Sequence, residues 1–227
     1  MNELAAAGFF VASCLTGDET QRLAAELEPF APSTLRERRG GVRNLLDRSA
    51  AVRALAQSTP IRSLVEPILG PNARAVRGIL FDKTPDANWK VIWHQDLTIA
   101  VRARHEVDGF GPWSLKDGVT CVQPPLSVLE EMLAVRIHLD DCGLSNGPLR
   151  VIAGSHRQGR LGAEAIERIR AESRESVVTA GLGEAIVMRP LLLHASAPAE
   201  SPGRRRVVHI ELCAKELPPP LAWHERI

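Results

Sequence analysis

Residues 185–213 read AIVMRPLLLHASAPAESPGRRRVVHIELC, and the fold turns on how this stretch is parsed. Two apolar runs, 185–188 and 191–194, precede a small, turn-forming segment, a basic triplet and a third run, 206–213. Runs this short, rich in Val, Ile and Leu and bounded by Pro and Gly, predict strands rather than helices. The same texture begins at residue 73 and recurs at 75–81, 90–93, 98–102, 132–139, 149–152 and 176–179. Turn signals at 85–86, 109–112, 145–148 and 181–183 separate nearly all of these runs. Many short strands at close spacing predict a sandwich or barrel, with residues 163–172 the one clear helix in this half.

The first 70 residues read as helical. Thr16-Gly17-Asp18-Glu19 resembles a capping box, and Leu23, Leu27 and Phe30 recur at helical spacing until Pro29 and Pro32 stop the pattern. Thr59-Pro60 is a second start, with Ile61, Leu64, Val65 and Ile68 on one face and Gly70-Pro71 as the stop. No linker, repeat or low-complexity tract divides the chain. The expectation is a single domain over 1–227, with 1–70 mainly helical and 73–213 the β core. A basic loop, 36–44, joins the two predicted helices.

Composition excludes several classes. With 28 Lys plus Arg against 27 Asp plus Glu, no Tyr, four Trp and five Phe, the chain has neither the charge nor the stacking surface of a general nucleic-acid binder. Its 44% apolar content excludes intrinsic disorder. Cys14, Cys121, Cys142 and Cys213 form no C-x-x-C pair, so zinc knuckles and thioredoxin-type motifs are absent and a reducing cytoplasm is expected. An apolar stretch, 4–15, precedes the first basic residue, Arg22, whereas a secretory signal needs a basic start. No run approaches the ~20 apolar residues that span a bilayer. The sequence leaves oligomeric state open.

Chemistry points to histidine. Of seven histidines, two sit in H-x-D triplets, His94-Gln95-Asp96 and His138-Leu139-Asp140. Residues i and i+2 of a strand share a face, so His and Asp at this spacing converge on one ion. Surroundings favour His94, which an apolar strand delivers at its end; His138 and Asp140 share a face with Arg136 and read as a structural salt-bridge ladder. His194 is the candidate for a third ligand. Two histidines and one carboxylate match the facial triad of non-haem Fe(II), which leaves positions open for reactants.

At this point the sequence resembles the phytanoyl-CoA dioxygenase family of Fe(II)- and 2-oxoglutarate-dependent oxygenases. Three segments carry the resemblance in order: Trp93 to Asp96; Asp140-Asp141 followed by Asn146-Gly147-Pro148-Leu149 and Gly154-Ser155-His156; and Gly183, His194, Ser196 and Arg205. The resemblance implies a double-stranded β-helix, the cupin-like jelly roll, flanked by an N-terminal helical layer. It implies His94, Asp96 and His194 as iron ligands, Arg205 on the distal carboxylate of 2-oxoglutarate and Ser196 as an added hydroxyl donor. The spacing of eleven from His194 picks Arg205 from the run Arg204 to Arg206, whose other members are the alternatives. A small-molecule substrate and dioxygen are the implied partners, and hydroxylation with release of succinate and CO2 the implied reaction. His156 reads as structural. Two departures stand out: Ala199 replaces an Asn common five residues after the distal His, and Glu184 an Asp usual after the glycine. Nothing in the chain forms a recognisable coenzyme A site. The rivals are a cupin-type metal enzyme that does not use 2-oxoglutarate and a non-catalytic small-molecule binder.

Lys90, Gln95, Thr98, Arg102, Trp113 and Gln123 are the candidates to face the pocket. Arg102, Arg104 and the 39–43 loop would suit an anionic group on the substrate.

Overall fold

The computed structural model of the chain describes residues 2–32, 34, 41–200 and 203–227. Helices Asn2–Ala7, Gly17–Leu27, Leu45–Arg48, Ala50–Gln57 and Thr59–Leu69 dominate the N-terminal part. Thr16 closes the expected capping box with Glu19, whereas the cap of the last helix is Ser58, one residue before the expected Thr59. The basic loop lies outside the described residues as far as residue 40.

The expectation of a purely helical start fails at one place. Gly8, at φ +88°, breaks the apolar stretch into the first helix and a strand, β1 (Phe9–Ser13). The remaining strands are β2 (Arg74–Lys83), β3 (Val91–His94), β4 (Ile99–Val101), β5 (Trp113–Lys116), β6 (Val119–Val122), β7 (Met132–His138), β8 (Leu149–Val151), β9 (Ser176–Val178), β10 (Glu184–Met188), β11 (His194–Ser196) and β12 (Arg205–Cys213). They form an antiparallel five-stranded sheet of order β1-β10-β7-β12-β2, a four-stranded sheet β3-β11-β8-β9 and a three-stranded sheet β4-β6-β5. The architecture is the jelly roll with flanking helices.

Two further differences are local. The run 191–194 is a turn rather than a strand, because Leu192 N–H donates back to Arg189 O across Pro190 and pairing starts only at His194. The β5–β6 hairpin went unread, although its Asp117-Gly118 turn sits at φ +52° and +79°, the conformation that an Asp-Gly pair favours.

Strand alternation decides which side of the large sheet is chemical. Leu133, Val135 and Ile137 of β7 and Val208, Ile210 and Leu212 of β12 pack with Leu27, Val52, Ile61 and Val65 of the helices. Each such side chain contributes ~1.5–3 kcal/mol on full burial. The intervening residues, Arg136 on β7 and Arg205, His209 and Glu211 on β12, line the interior instead. The helical layer thus gives the sheet its dry face, and the other face is left to carry charge.

Candidate metal centre and cofactor cavity

β3 and β11 are antiparallel neighbours, and His94 and His194 are direct cross-strand partners. Their rings lie 4.2 Å apart between centroids. Asp96 follows two residues after His94, its backbone N–H fixed by Pro190 O at 2.9 Å. One donor atom from each of the three side chains lies within 4.8 Å of the other two.

The tautomers follow from geometry. Nδ1 of His94 is 2.8 Å from Ile92 O, and Nδ1 of His194 is 2.8 Å from Leu192 O. A carbonyl only accepts, so each Nδ1 carries the hydrogen and each Nε2 presents a lone pair. Each Nε2 faces the Asp96 carboxylate, at 3.6 and 3.7 Å, and although burial opposes it, Asp96 raises His94 above its ordinary value, so a proton or a cation is favoured between them. With both imidazoles neutral the three groups offer only acceptors to the space between them, which suits a cation, and the backbone bonds at Nδ1 are the orienting contacts that metal-bound histidines use. The donor set therefore fits a divalent metal such as Fe(II). Burial, partly opposed by Asp96, pushes His194 down to about 4 and keeps it neutral. Burial raises the Asp96 carboxyl, but the two histidines outweigh it and hold the group well below its ordinary value.

The three consecutive arginines part company. Arg204 donates to Asp82 and Glu28, and Arg206 grips Asp140 through its backbone N–H, Nε and Nη2. The expected ladder of Arg136, His138 and Asp140 is accordingly absent: Asp140 turns to Arg206, while Arg136 lines the cavity against His209. His138 is buried with neither ring nitrogen partnered among the described residues, and burial drives it down to about 3. Arg205 alone of the three lines the cavity, a space of about 450 Å³ that also takes in His94, Asp96 and His194. Its Nη1 donates to Gly147 O, while its Nε is buried with no partner among the described residues. An orphaned guanidinium N–H in a cavity fits a carboxylate ligand.

Beside it the structure adds a residue that the sequence reading missed. Lys83 is the cross-strand partner of Arg205, and its Nζ donates to Ser196 Oγ at 3.1 Å. Ser196 in turn donates to Gly147 O at 3.0 Å. Burial, then the charges of Arg205 and Arg136, push the Lys83 amine down to about 7.

Of the six pocket candidates, Gln95, Thr98 and Gln123 line the cavity, and Lys90, Arg102 and Trp113 do not. Arg102 is exposed, and Arg104 is occupied by Glu106 and the Trp113 ring. From the basic loop, Arg43 reaches the cavity.

A family model described as phytanoyl-CoA dioxygenase matches residues 18–207. The chain belongs to the phytanoyl-CoA dioxygenase family. No curated protein sequence matches it significantly. Among solved structures, AviO1 from Streptomyces viridochromogenes Tue57 is 22% identical with a TM-score of 0.69, covering 96% of this chain and 95% of its own. SnoK, a non-haem alpha-ketoglutarate-dependent carbocyclase from nogalamycin biosynthesis, is 14% identical with a TM-score of 0.71, covering 93% and 81%. EctD from S. alaskensis, crystallised with 2-oxoglutarate and 5-hydroxyectoine, is 18% identical with a TM-score of 0.70, covering 93% and 74%.

The departures from the phytanoyl-CoA dioxygenase pattern have local answers. Glu184 accepts from Gly181 N–H at 2.7 Å and so braces the turn through Gly183. Asn88, from a distant segment, bonds both backbone groups of Ala199. Two further contacts brace the ligand-bearing strands. Ser155 Oγ accepts from Leu193 N–H at 2.8 Å, immediately before His194. The Gln95 amide, between the first two candidate ligands, donates to Gly159 O and Leu191 O and accepts from Leu161 N–H. Gln95→Leu strands those three backbone groups and is expected to cost about 2–4 kcal/mol of stability in urea unfolding. A loss below about 0.5 kcal/mol would show that the amide is dispensable.

Proposed function

We propose that residues 1–227 act as a single-domain Fe(II)- and 2-oxoglutarate-dependent oxygenase that hydroxylates a C–H bond of a small molecule. The observation that carries this reading is a two-histidine, one-carboxylate triangle sharing one cavity with a buried arginine whose Nε lacks a partner. His94 Nε2, the Asp96 carboxylate and His194 Nε2 would hold the iron. Arg205, with Lys83 beside it and Ser196 as a hydroxyl donor, would hold the distal carboxylate of 2-oxoglutarate. When bound, iron and 2-oxoglutarate supply the oxidising chemistry, consuming dioxygen and releasing succinate and CO2. The protein's share is to orient the reactants and limit water in a lined cavity. The names of SnoK and EctD support the cosubstrate, and they differ in outcome, a carbocycle in one and a hydroxylated compound in the other. Four free cysteines support a cytoplasmic setting. No helix among the described residues is long and apolar enough to cross a membrane.

Anaerobic loading with Fe(II) and 2-oxoglutarate, followed by air and measurement of succinate with and without small-molecule candidates, tests the reading. Succinate formation stimulated by a candidate, with hydroxyl incorporation, is the expected result. Metal-dependent turnover without succinate would transfer the chain to the cupin enzymes that use no 2-oxoglutarate.

The Lys83 amine gives a pH signature. With its pKa near 7 in the free protein, the lysine is charged below that pH and must take up a proton to meet an anion above it. The Kd for 2-oxoglutarate, measured calorimetrically, is therefore expected to rise towards about tenfold per pH unit above neutrality. Lys83→Met removes this slope; a slope retained in that variant would place the titrating group elsewhere.

A further inference from the structure

The cavity holds a second group of cations that the proposed cosubstrate does not reach. Arg77, Ile79, Phe81 and Lys83 alternate along β2 and all line it. Six residues of strand separate Arg77 from Lys83 by roughly 20 Å at ~3.3 Å per residue, with two apolar side chains between. Lys83 and Arg205 occupy one end. At the other, Arg77 pairs through Nη1 with Glu211 at 2.8 Å, while its Nη2 is buried with no partner among the described residues. Arg77 is itself only 9% exposed.

Lys116 joins this end from β5. Its strand inverts the ordinary pattern: Leu115 is 68% exposed, and Lys116 is turned towards the cavity. A long amine at a sheet edge reaches water readily, so an inward-facing lysine beside an outward-facing leucine breaks a local rule of the kind that functional sites break. Lys116 Nζ donates to Thr98 Oγ1 at 2.9 Å and has no carboxylate within ion-pair distance among the described residues. Burial, with the charges of Arg77 and Arg43, outweighs the opposing influence of Cys121 and Asp96 and holds its amine below the ordinary value. Arg43 faces the same space while bonded to Asp117 at the hairpin turn.

Charge accounting gives the ligand class. Glu211 offsets Arg77, and Asp117 offsets Arg43. A divalent ion on Asp96 leaves one positive charge, and the total charge of the 2-oxoglutarate dianion is equalled by Arg205 and Lys83. Lys116, Arg136 and the metal centre then stand without a counter-charge; Arg136 has His209 as its partner on the large sheet, whereas the unpartnered Arg77 N–H is close enough for Lys116 to feel its charge.

Taking the oxygenase reading as given, we propose that the substrate carries an anionic group, carboxylate or phosphate, that binds between Lys116 and Arg77 at the end of the cavity remote from Arg205. The expectation of an anionic substrate is thus kept, but on cations other than Arg102 and Arg104.

The test is calorimetric. Small monocarboxylic acids, their matched primary amides and alkyl phosphates are titrated into protein saturated with Zn(II) and 2-oxoglutarate, and separately into metal-free protein. Acids or phosphates are expected to bind at least about tenfold more tightly than the amides. Lys116→Met should abolish that preference and Lys116→Arg retain it. Equal binding of acids and amides, an unchanged preference in Lys116→Met, or no binding by any acid or phosphate at millimolar concentration overturns the proposal. Failure of 2-oxoglutarate to bind in the loading step would instead count against the oxygenase reading. In that case the metal-free titrations of the native and Lys116→Met proteins still decide the subsite.

Discussion

A divalent metal at a hundred times its Kd is expected to raise the thermal unfolding midpoint by roughly 5–10 °C, since such binding contributes ~2.7 kcal/mol and a chain of this size shifts by ~2–4 °C per kcal/mol. Asp96→Ala and His94→Ala should show no such shift. The reason lies in Nε2 of His94 and of His194, which both face the Asp96 carboxylate, at 3.6 and 3.7 Å. In the metal-free protein the histidines hold the Asp96 carboxyl well below its ordinary value, so Asp96→Ala should lower the metal-free midpoint at neutral pH. Calorimetry with Mn(II) or Zn(II) reads both quantities. A metal-induced shift that survives in both variants would remove the triangle from consideration as the metal site.

Arg205→Ala is expected to weaken 2-oxoglutarate binding by about 2–5 kcal/mol, roughly 30-fold to several thousand-fold, the cost of truncating one member of a buried charge pair. Its metal-induced shift should persist. The neighbouring arginines provide the contrast. Arg204→Ala leaves the carboxylate of Asp82, 2% exposed, without its guanidinium, and should cost about 3–5 kcal/mol of stability. Arg206→Ala similarly strips Asp140 of two side-chain bonds. Neither should alter cosubstrate affinity once the protein is folded. Comparable affinity losses in all three variants would mean that the cavity senses overall basic charge and that Arg205 is not a specific contact.

What was readable in advance followed the range of the signal. The His-x-Asp spacing that brings His94 and Asp96 together is local, although β3 ends at His94 and Asp96 lies just beyond it, and so is the change from apolar run to turn after His194. Thr16 and Glu19 announced their helix through contacts three residues apart. Lys83 was not readable, because it meets Arg205 only through the pairing of β2 with β12, more than a hundred residues away in sequence. Lys116 was hidden by a missed hairpin, although Asp117-Gly118 carried the turn. β1 was hidden because its five residues run on from an apolar helix with only Gly8 to mark the break. Arg102 and Arg104 misled in the other direction: basic residues near a strand end look alike in sequence whether they face solvent or a cavity.

The short stretch from Ser155 to Leu161 touches both halves of the proposed metal frame, through Leu193 on one side and Gln95 on the other. Libraries that randomise those positions should yield mostly inactive scaffolds. With Lys116 as the proposed substrate contact, diversity confined to the excursion that carries it is expected to redirect selectivity, because β5 lies in a separate sheet from both histidines. Evolvability in this molecule is therefore unevenly distributed, and a breeder of new catalysts should begin at its periphery.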